Sequence, residues 1–124
     1  MTALRTVLVI DDDPDMQELL EAIFSHAQID MFSAFNYEEA AKLLALPNAR
    51  YIAALVDLRL PDKTGWEILK AIRETVGDDL PCIAITAYHT SKLREEALHA
   101  GFSHYLAKPI NADELVEVIR TLIV

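Results

Sequence analysis

Val7-Leu8-Val9-Ile10-Asp11-Asp12-Asp13-Pro14 sets four consecutive apolar residues against three carboxylates and a proline. An uninterrupted apolar run, rather than an alternating one, marks a strand buried on both faces, as in a parallel sheet covered by helices. Asp13-Pro14 is a helix start. The aspartate can cap free N–H groups, and proline fits the first turn, where its missing N–H has no partner to lose. A buried strand therefore passes into a helix with only acidic residues between them.

The same grammar recurs along the chain. Tyr51-Ile52-Ala53-Ala54-Leu55-Val56 stops on Asp57, Cys82-Ile83-Ala84-Ile85 on Thr86, and His104-Tyr105-Leu106-Ala107 on Lys108-Pro109. With a further strand near Asp30, this predicts strands over 5–10, 29–34, 51–56, 81–86 and 103–107, all short and apolar. Helices are predicted over 14–27, 37–46, 65–75, 91–100 and 112–123. The first buries Met16, Leu19, Leu20 and Ile23 by its periodicity. Asn36 with Glu39, and Asn111 with Glu114, place a polar cap three residues before a glutamate, a variant of the capping box. Gly101 is a C-terminal helix stop with Phe102 folding back as its apolar contact. Five βα units joined by right-handed crossovers give an α/β, doubly wound, three-layer flavodoxin-like sandwich. The five-stranded parallel sheet is expected in the order 2-1-3-4-5, with residues 1–124 forming one domain.

Bulk properties limit the function. The formal charge is −9, which opposes direct nucleic-acid binding, since that depends on Lys and Arg neutralising phosphates. No apolar run approaches the roughly 18 residues of a membrane span, and no secretory signal is visible. One cysteine, Cys82, fits core packing in a reducing compartment, so a cytoplasmic location is expected. Trp66, near the start of the third helix, reads as packing. His26, His89, His99 and His104 have no mutual metal-ligand spacing and read as surface residues. Val116, Ile123 and Val124 add apolar positions beside the Leu115-Ile119-Leu122 stripe of the last helix. That helix has either a wide core stripe or a docking edge.

In an open α/β sheet, sites form beyond the carboxyl ends of the strands, where strand order reverses. Asp11, Asp12, Asp57, Thr86 and Lys108 should meet there. Clustered carboxylates need a cation or protons to compensate them, and an all-oxygen set without His or Cys favours Mg²⁺. Asp12 and Asp57 are read as direct ligands, Asp11 as acting through a bound water, and the backbone carbonyl of Arg59 as a further ligand. Lys108 supplies the charge that balances a phosphoryl group, and Thr86 a hydroxyl that donates to one. Asp57, ending the central strand, is the candidate nucleophile, able to hold phosphorus as an acyl phosphate. Asp13 and Asp15 read instead as first-turn acids that favour the helix dipole.

Val9-Ile10-Asp11-Asp12-Asp13-Pro14-Asp15, Val56-Asp57-Leu58-Arg59-Leu60-Pro61-Asp62-Lys63-Thr64-Gly65, Ile85-Thr86-Ala87 and Tyr105-Leu106-Ala107-Lys108-Pro109 occur in that order. Together they resemble the receiver domain of two-component response regulators, over nearly the whole chain. The resemblance implies a signalling switch, not a classical enzyme. Asp57 would take phosphoryl from a sensor histidine kinase or phosphotransfer histidine with Mg²⁺. Thr86 and Tyr105 would be the switch pair, and the Lys108-Pro109 bond would be cis. The helix 4–strand 5–helix 5 face would be the output surface toward an unknown partner, an effector domain or a second copy in a homodimer. Arg59 and Tyr88, two residues after Asp57 and Thr86, would flank the route of attacking water and tune dephosphorylation. Either a stand-alone regulator or a domain of a hybrid kinase or larger regulator fits.

Two rivals are weaker. A calcium loop on Asp11, Asp13 and Asp15 has Met16 where glycine is needed and Ala22 where glutamate is needed. A haloacid-dehalogenase-like phosphatase also uses strand-end Asp, Thr, Lys and Mg²⁺. Pro14 blocks its characteristic turn, and the length leaves no room for a cap domain.

Overall fold

The computed structural model describes residues 6–46 and 50–123. Five strands alternate with five helices: β1 Thr6–Ile10, α1 Pro14–His26, β2 Asp30–Ala34, α2 Tyr37–Leu44, β3 Ala53–Asp57, α3 Gly65–Val76, β4 Cys82–Thr86, α4 Ser91–Ala100, β5 His104–Ala107 and α5 Ala112–Leu122. The sheet is parallel in the order β2-β1-β3-β4-β5, so the fold class is as read from sequence. The predicted start at Arg5 and the apolar position at Val124 lie outside the described residues. The third strand begins two residues later than predicted and includes Asp57. No helix among the described residues is long and apolar enough to cross a membrane.

Alternate strand residues feed two cores. Leu8, Ile10, Ala54, Val56, Cys82 and Ala84 face one side with Ala40, Leu44, Ile68, Leu69 and Ile72 from α2 and α3. Val7, Val9, Leu55, Ile83 and Ile85 face the other with Leu20 and Phe24 from α1 and Leu115 and Ile119 from α5. Every residue of β3 and β4 is buried, which is why these segments read as continuous apolar runs. The β2 strand departs from that expectation. It is one of the two sheet edges, and Asp30, Phe32 and Ser33 are exposed. On α5 the wide stripe is the outcome for Ile123, which packs on the second core together with Val118 and Leu122.

Caps end the helices largely as their sequences indicate. Asp13 accepts from Asp15 N, Asn36 from Glu39 N at 2.8 Å and Asn111 from Glu114 N at 2.9 Å. Glu39 does not return to Asn36; its carboxylate accepts from Phe35 N at 2.7 Å. The reciprocal capping box is instead at Thr64 and Glu67. Gly101, at φ 121°, ends α4 with Phe102 N donating to Ala97 O, an arrangement that carries Phe102 into the core.

One core assignment on α1 is wrong. Leu19 is 45% exposed, whereas Gln17 is buried. Gln17 shares the helical face of Leu20 and Phe24, and that spacing was the available signal. Apolarity alone favoured Leu19, but the Gln17 position faces strand-end carbonyls, which require a donor.

Candidate functional site

Sheet register assembles the site. Ile10 lies beside Val56, Asp57 beside Ile85 and Thr86 beside Ala107. The residues just past β1 and β5 therefore flank Asp57 and Thr86. Short backbone bonds hold these tips: Asp11 N to Ala34 O at 3.0 Å, Leu58 N to Ile85 O at 3.0 Å and Lys108 N to Thr86 O at 2.8 Å. Carboxylate oxygens of Asp11, Asp12 and Asp57 lie within 4.8 Å of one another. Asp11 and Asp57 are buried, and Asp12 is exposed at the rim.

Each buried carboxylate divides its oxygens between a backbone donor and one ammonium. Asp11 Oδ1 accepts from Asp13 N and Asp57 Oδ1 from Arg59 N, both at 2.9 Å. Lys108 Nζ lies 2.9 Å from Asp11 Oδ2 and 3.2 Å from Asp57 Oδ2. One cation thus serves two buried anions with a third alongside. The Asp11 Oδ2 contact is an ion pair without a well-directed hydrogen bond. This buried oxygen, in an all-oxygen set of three carboxylates, fits a hard divalent ion such as Mg²⁺.

The electrostatics follow from that imbalance. Burial raises the Asp57 pKa, the Arg59 N–H lowers it, Asp11 raises it and Lys108 lowers it; the net direction is up. Burial alone would lower the Lys108 pKa, but Asp11 and Asp57 outweigh it and hold the ammonium above its ordinary value. The pocket is a place where negative charge is costly and positive charge welcome.

Thr86 ends β4 almost fully buried. Its Oγ1 accepts from Tyr88 N at 3.0 Å, a bond that leaves the hydroxyl proton free to donate. Tyr105, in β5, is half-buried against the first core, and its hydroxyl is 3.1 Å from His89 Nδ1. Arg59 and Tyr88 meet directly, with the Arg59 guanidinium carbon 4.2 Å from the ring centroid. The Lys108-Pro109 bond is cis. Trp66 packs edge-on to Phe102, centroids 5.9 Å apart. His26, His89 and His99 are exposed and His104 is half-buried.

Sequence reasoning missed two residues that shape this region. His89, read as a surface residue, is exposed but is hydrogen-bonded to Tyr105; no periodicity connects a residue of the loop after β4 with one inside β5. Gln17 Nε2 lies 3.1 Å from Val9 O, 3.1 Å from Asp11 O and 3.0 Å from Ala34 O, pinning the backbone that presents Asp11. Gln17→Leu keeps the side chain buried but leaves these carbonyls without that donor. We expect a loss of about 1–3 kcal/mol, measured by urea unfolding, with weaker divalent-ion binding as the Asp11 turn loosens. Unchanged stability would show that the three carbonyls do not depend on Gln17.

Gly65 shapes the loop after Asp57. A Cβ there would lie 2.8 Å from Leu58 Cα, so only glycine lets Gly65 N donate to Leu58 O at 3.0 Å. An isolated bridge between Arg59 and Thr64 closes the loop.

Comparisons with known proteins agree on one family. The chain is 35% identical over 119 residues to an uncharacterized 14.6 kDa protein of Leptolyngbya boryana, covering 95% of this chain and 89% of that protein. It is 35% identical over 117 residues to the response regulator protein PilR of Pseudomonas aeruginosa, covering 94% of this chain but only 26% of PilR. Among solved structures, the receiver domain of the Francisella response regulator 1452 superposes with a TM-score of 0.85 at 30% identity, covering 96% of each chain. Residues 7–120 match the family described as the response regulator receiver domain, and the chain belongs to that family.

Proposed function

We propose that residues 1–124 form one phosphoryl-accepting switch, with Asp57 as the acceptor. The observation that carries this is the strand-tip pocket, in which Lys108 bridges buried Asp11 and Asp57 and Asp12 lies at the rim. An Asp57 carboxylate oxygen attacks the phosphorus of a donor phosphohistidine on a sensor kinase or phosphotransfer protein. The P–O bond forms as the P–N bond breaks, and the imidazole leaves with the electron pair. Asp12, Asp57, the Arg59 carbonyl and, through water, Asp11 would hold Mg²⁺, which when bound supplies charge neutralisation for the transferred group. Lys108 would balance the phosphoryl charge, and the free proton of Thr86 would donate to a phosphoryl oxygen.

Thr86 moving toward the phosphoryl group would open volume for Tyr105 and alter the α4-β5-α5 face. That face would meet the output partner, an effector domain or a second copy. The reaction is a self-modification rather than turnover, and a cytoplasmic setting suits a histidine-kinase partner. The Arg59–Tyr88 pair, two residues past Asp57 and Thr86, would flank the route of attacking water and set the lifetime of the phosphoryl group.

Incubation with a small acyl-phosphate donor tests the reading. Intact-mass measurement should show a single phosphoryl addition with Mg²⁺ and none with EDTA. Catalytic turnover of small phosphate monoesters, rather than a single stoichiometric addition, would favour the phosphatase reading.

A further inference from the structure

Two consecutive residues of one short loop reach in different directions. The segment Ala87–Thr90 joins β4 to α4. Tyr88 is 60% exposed, and its ring lies against the Arg59 guanidinium from the β3–α3 loop. His89 turns to β5, its ring 5.5 Å from that of Tyr105 between centroids and tilted by 52°, with Nδ1 and the Tyr105 hydroxyl hydrogen-bonded. Tyr88 N also donates to Thr86 Oγ1. At the far end, Thr90 Oγ1 accepts from Leu93 N at 3.0 Å, fixing the start of α4. A four-residue loop held this tightly has little room to move one contact without the other.

We propose that His89 is a positioning residue that couples the Arg59–Tyr88 contact on one side of this loop to the Tyr105 side chain on the other. The coupling rests on the phosphoryl-acceptor reading for its purpose. A phosphoryl group on Asp57 would place anionic oxygens two residues from Arg59, and a guanidinium forms stronger charge-assisted bonds to such oxygens than its contact with an exposed ring. Drawing Arg59 away frees Tyr88, the loop relaxes, and His89 carries the change to the Tyr105 hydroxyl. Tyr105 would then receive the signal by two routes, one through the volume beside Thr86 and one through its hydroxyl.

The test uses the full, unphosphorylated, metal-free chain labelled at tyrosine, with Tyr105 ring resonances assigned through Tyr105→Phe. Arg59→Ala should shift the Tyr105 ring signals in the wild-type background and leave them unmoved in a His89→Ala background. His89→Asn, whose amide oxygen can take the place of Nδ1, should restore the response. Equal shifts with and without His89, or no shift in the wild-type background, would overturn the coupling. Because no phosphoryl group is involved, that failure would leave the acceptor role of Asp57 standing. Conversely, a chain that shows the coupling but takes no phosphoryl group would refute the acceptor reading alone.

Discussion

Lys108→Met is expected to lower the metal-free melting temperature by about 10 °C and, in the same protein, to tighten Mg²⁺ binding at least about tenfold. Methionine keeps much of the aliphatic stem but removes the only ammonium, among the described residues, that contacts both Asp11 and Asp57. Removing one partner of a buried ion pair costs about 3–5 kcal/mol. Partial exposure of Lys108 reduces this to about 2–4 kcal/mol, or about 10 °C for a domain of this size. The opposite effect on metal affinity has the same origin, because an ammonium and a divalent ion compete for the same carboxylates. For charges about 5 Å apart, the repulsion of a single by a double charge is about 1.7 kcal/mol even in bulk water, more than tenfold in Kd. Calorimetric unfolding and Mg²⁺ titration of one variant would show both changes. A variant as stable as wild type without metal would contradict the charge imbalance.

Asp57→Asn should move stability the other way. The folded protein holds the Asp57 proton more tightly than the unfolded chain does, since burial and Asp11 raise its pKa by more than the Arg59 N–H and Lys108 lower it. As pH rises from the ordinary carboxylate range through that raised value, the unfolded state loses its proton first and stability falls. Asparagine cannot ionise, and its carbonyl oxygen can keep the Arg59 N–H bond. At neutral pH with EDTA, Asp57→Asn should therefore melt above wild type, and the gap should close as pH falls below the ordinary carboxylate range. With saturating Mg²⁺ the order should narrow or reverse, since the ion rewards the ionised carboxylate. An Asp57→Asn protein that melts below wild type in EDTA at neutral pH would contradict the sign.

The parts of this site that lie on strand tips were legible in the chain. Asp11, Asp57 and Thr86 each follow a buried run and Lys108 a half-buried one, and parallel register with right-handed crossovers leaves such tips only one place to meet. What the patterns concealed depends on contacts across elements. Leu19 carried the apolar signal on α1, yet the buried position went to Gln17 because three carbonyls converge there. The β2 strand looked like the other strands until its place at the sheet edge exposed Phe32 and Ser33. Arg59 and Tyr88 were legible as neighbours of the pocket, but their stacking was not, since they lie 29 positions apart and no local periodicity relates two loops. His89 was concealed for the same reason.

Borohydride trapping tests the central assignment most directly. The reagent reduces an acyl phosphate to an alcohol, which would convert a phosphorylated aspartate to homoserine at the modified position alone. Treating the protein with an acyl-phosphate donor and Mg²⁺, reducing it and sequencing its peptides by mass spectrometry should place homoserine at Asp57, with none in the Asp57→Asn protein. Homoserine at Asp11 or Asp12 instead, or undiminished modification of Asp57→Asn, would show that this pocket does not use Asp57 as its acceptor.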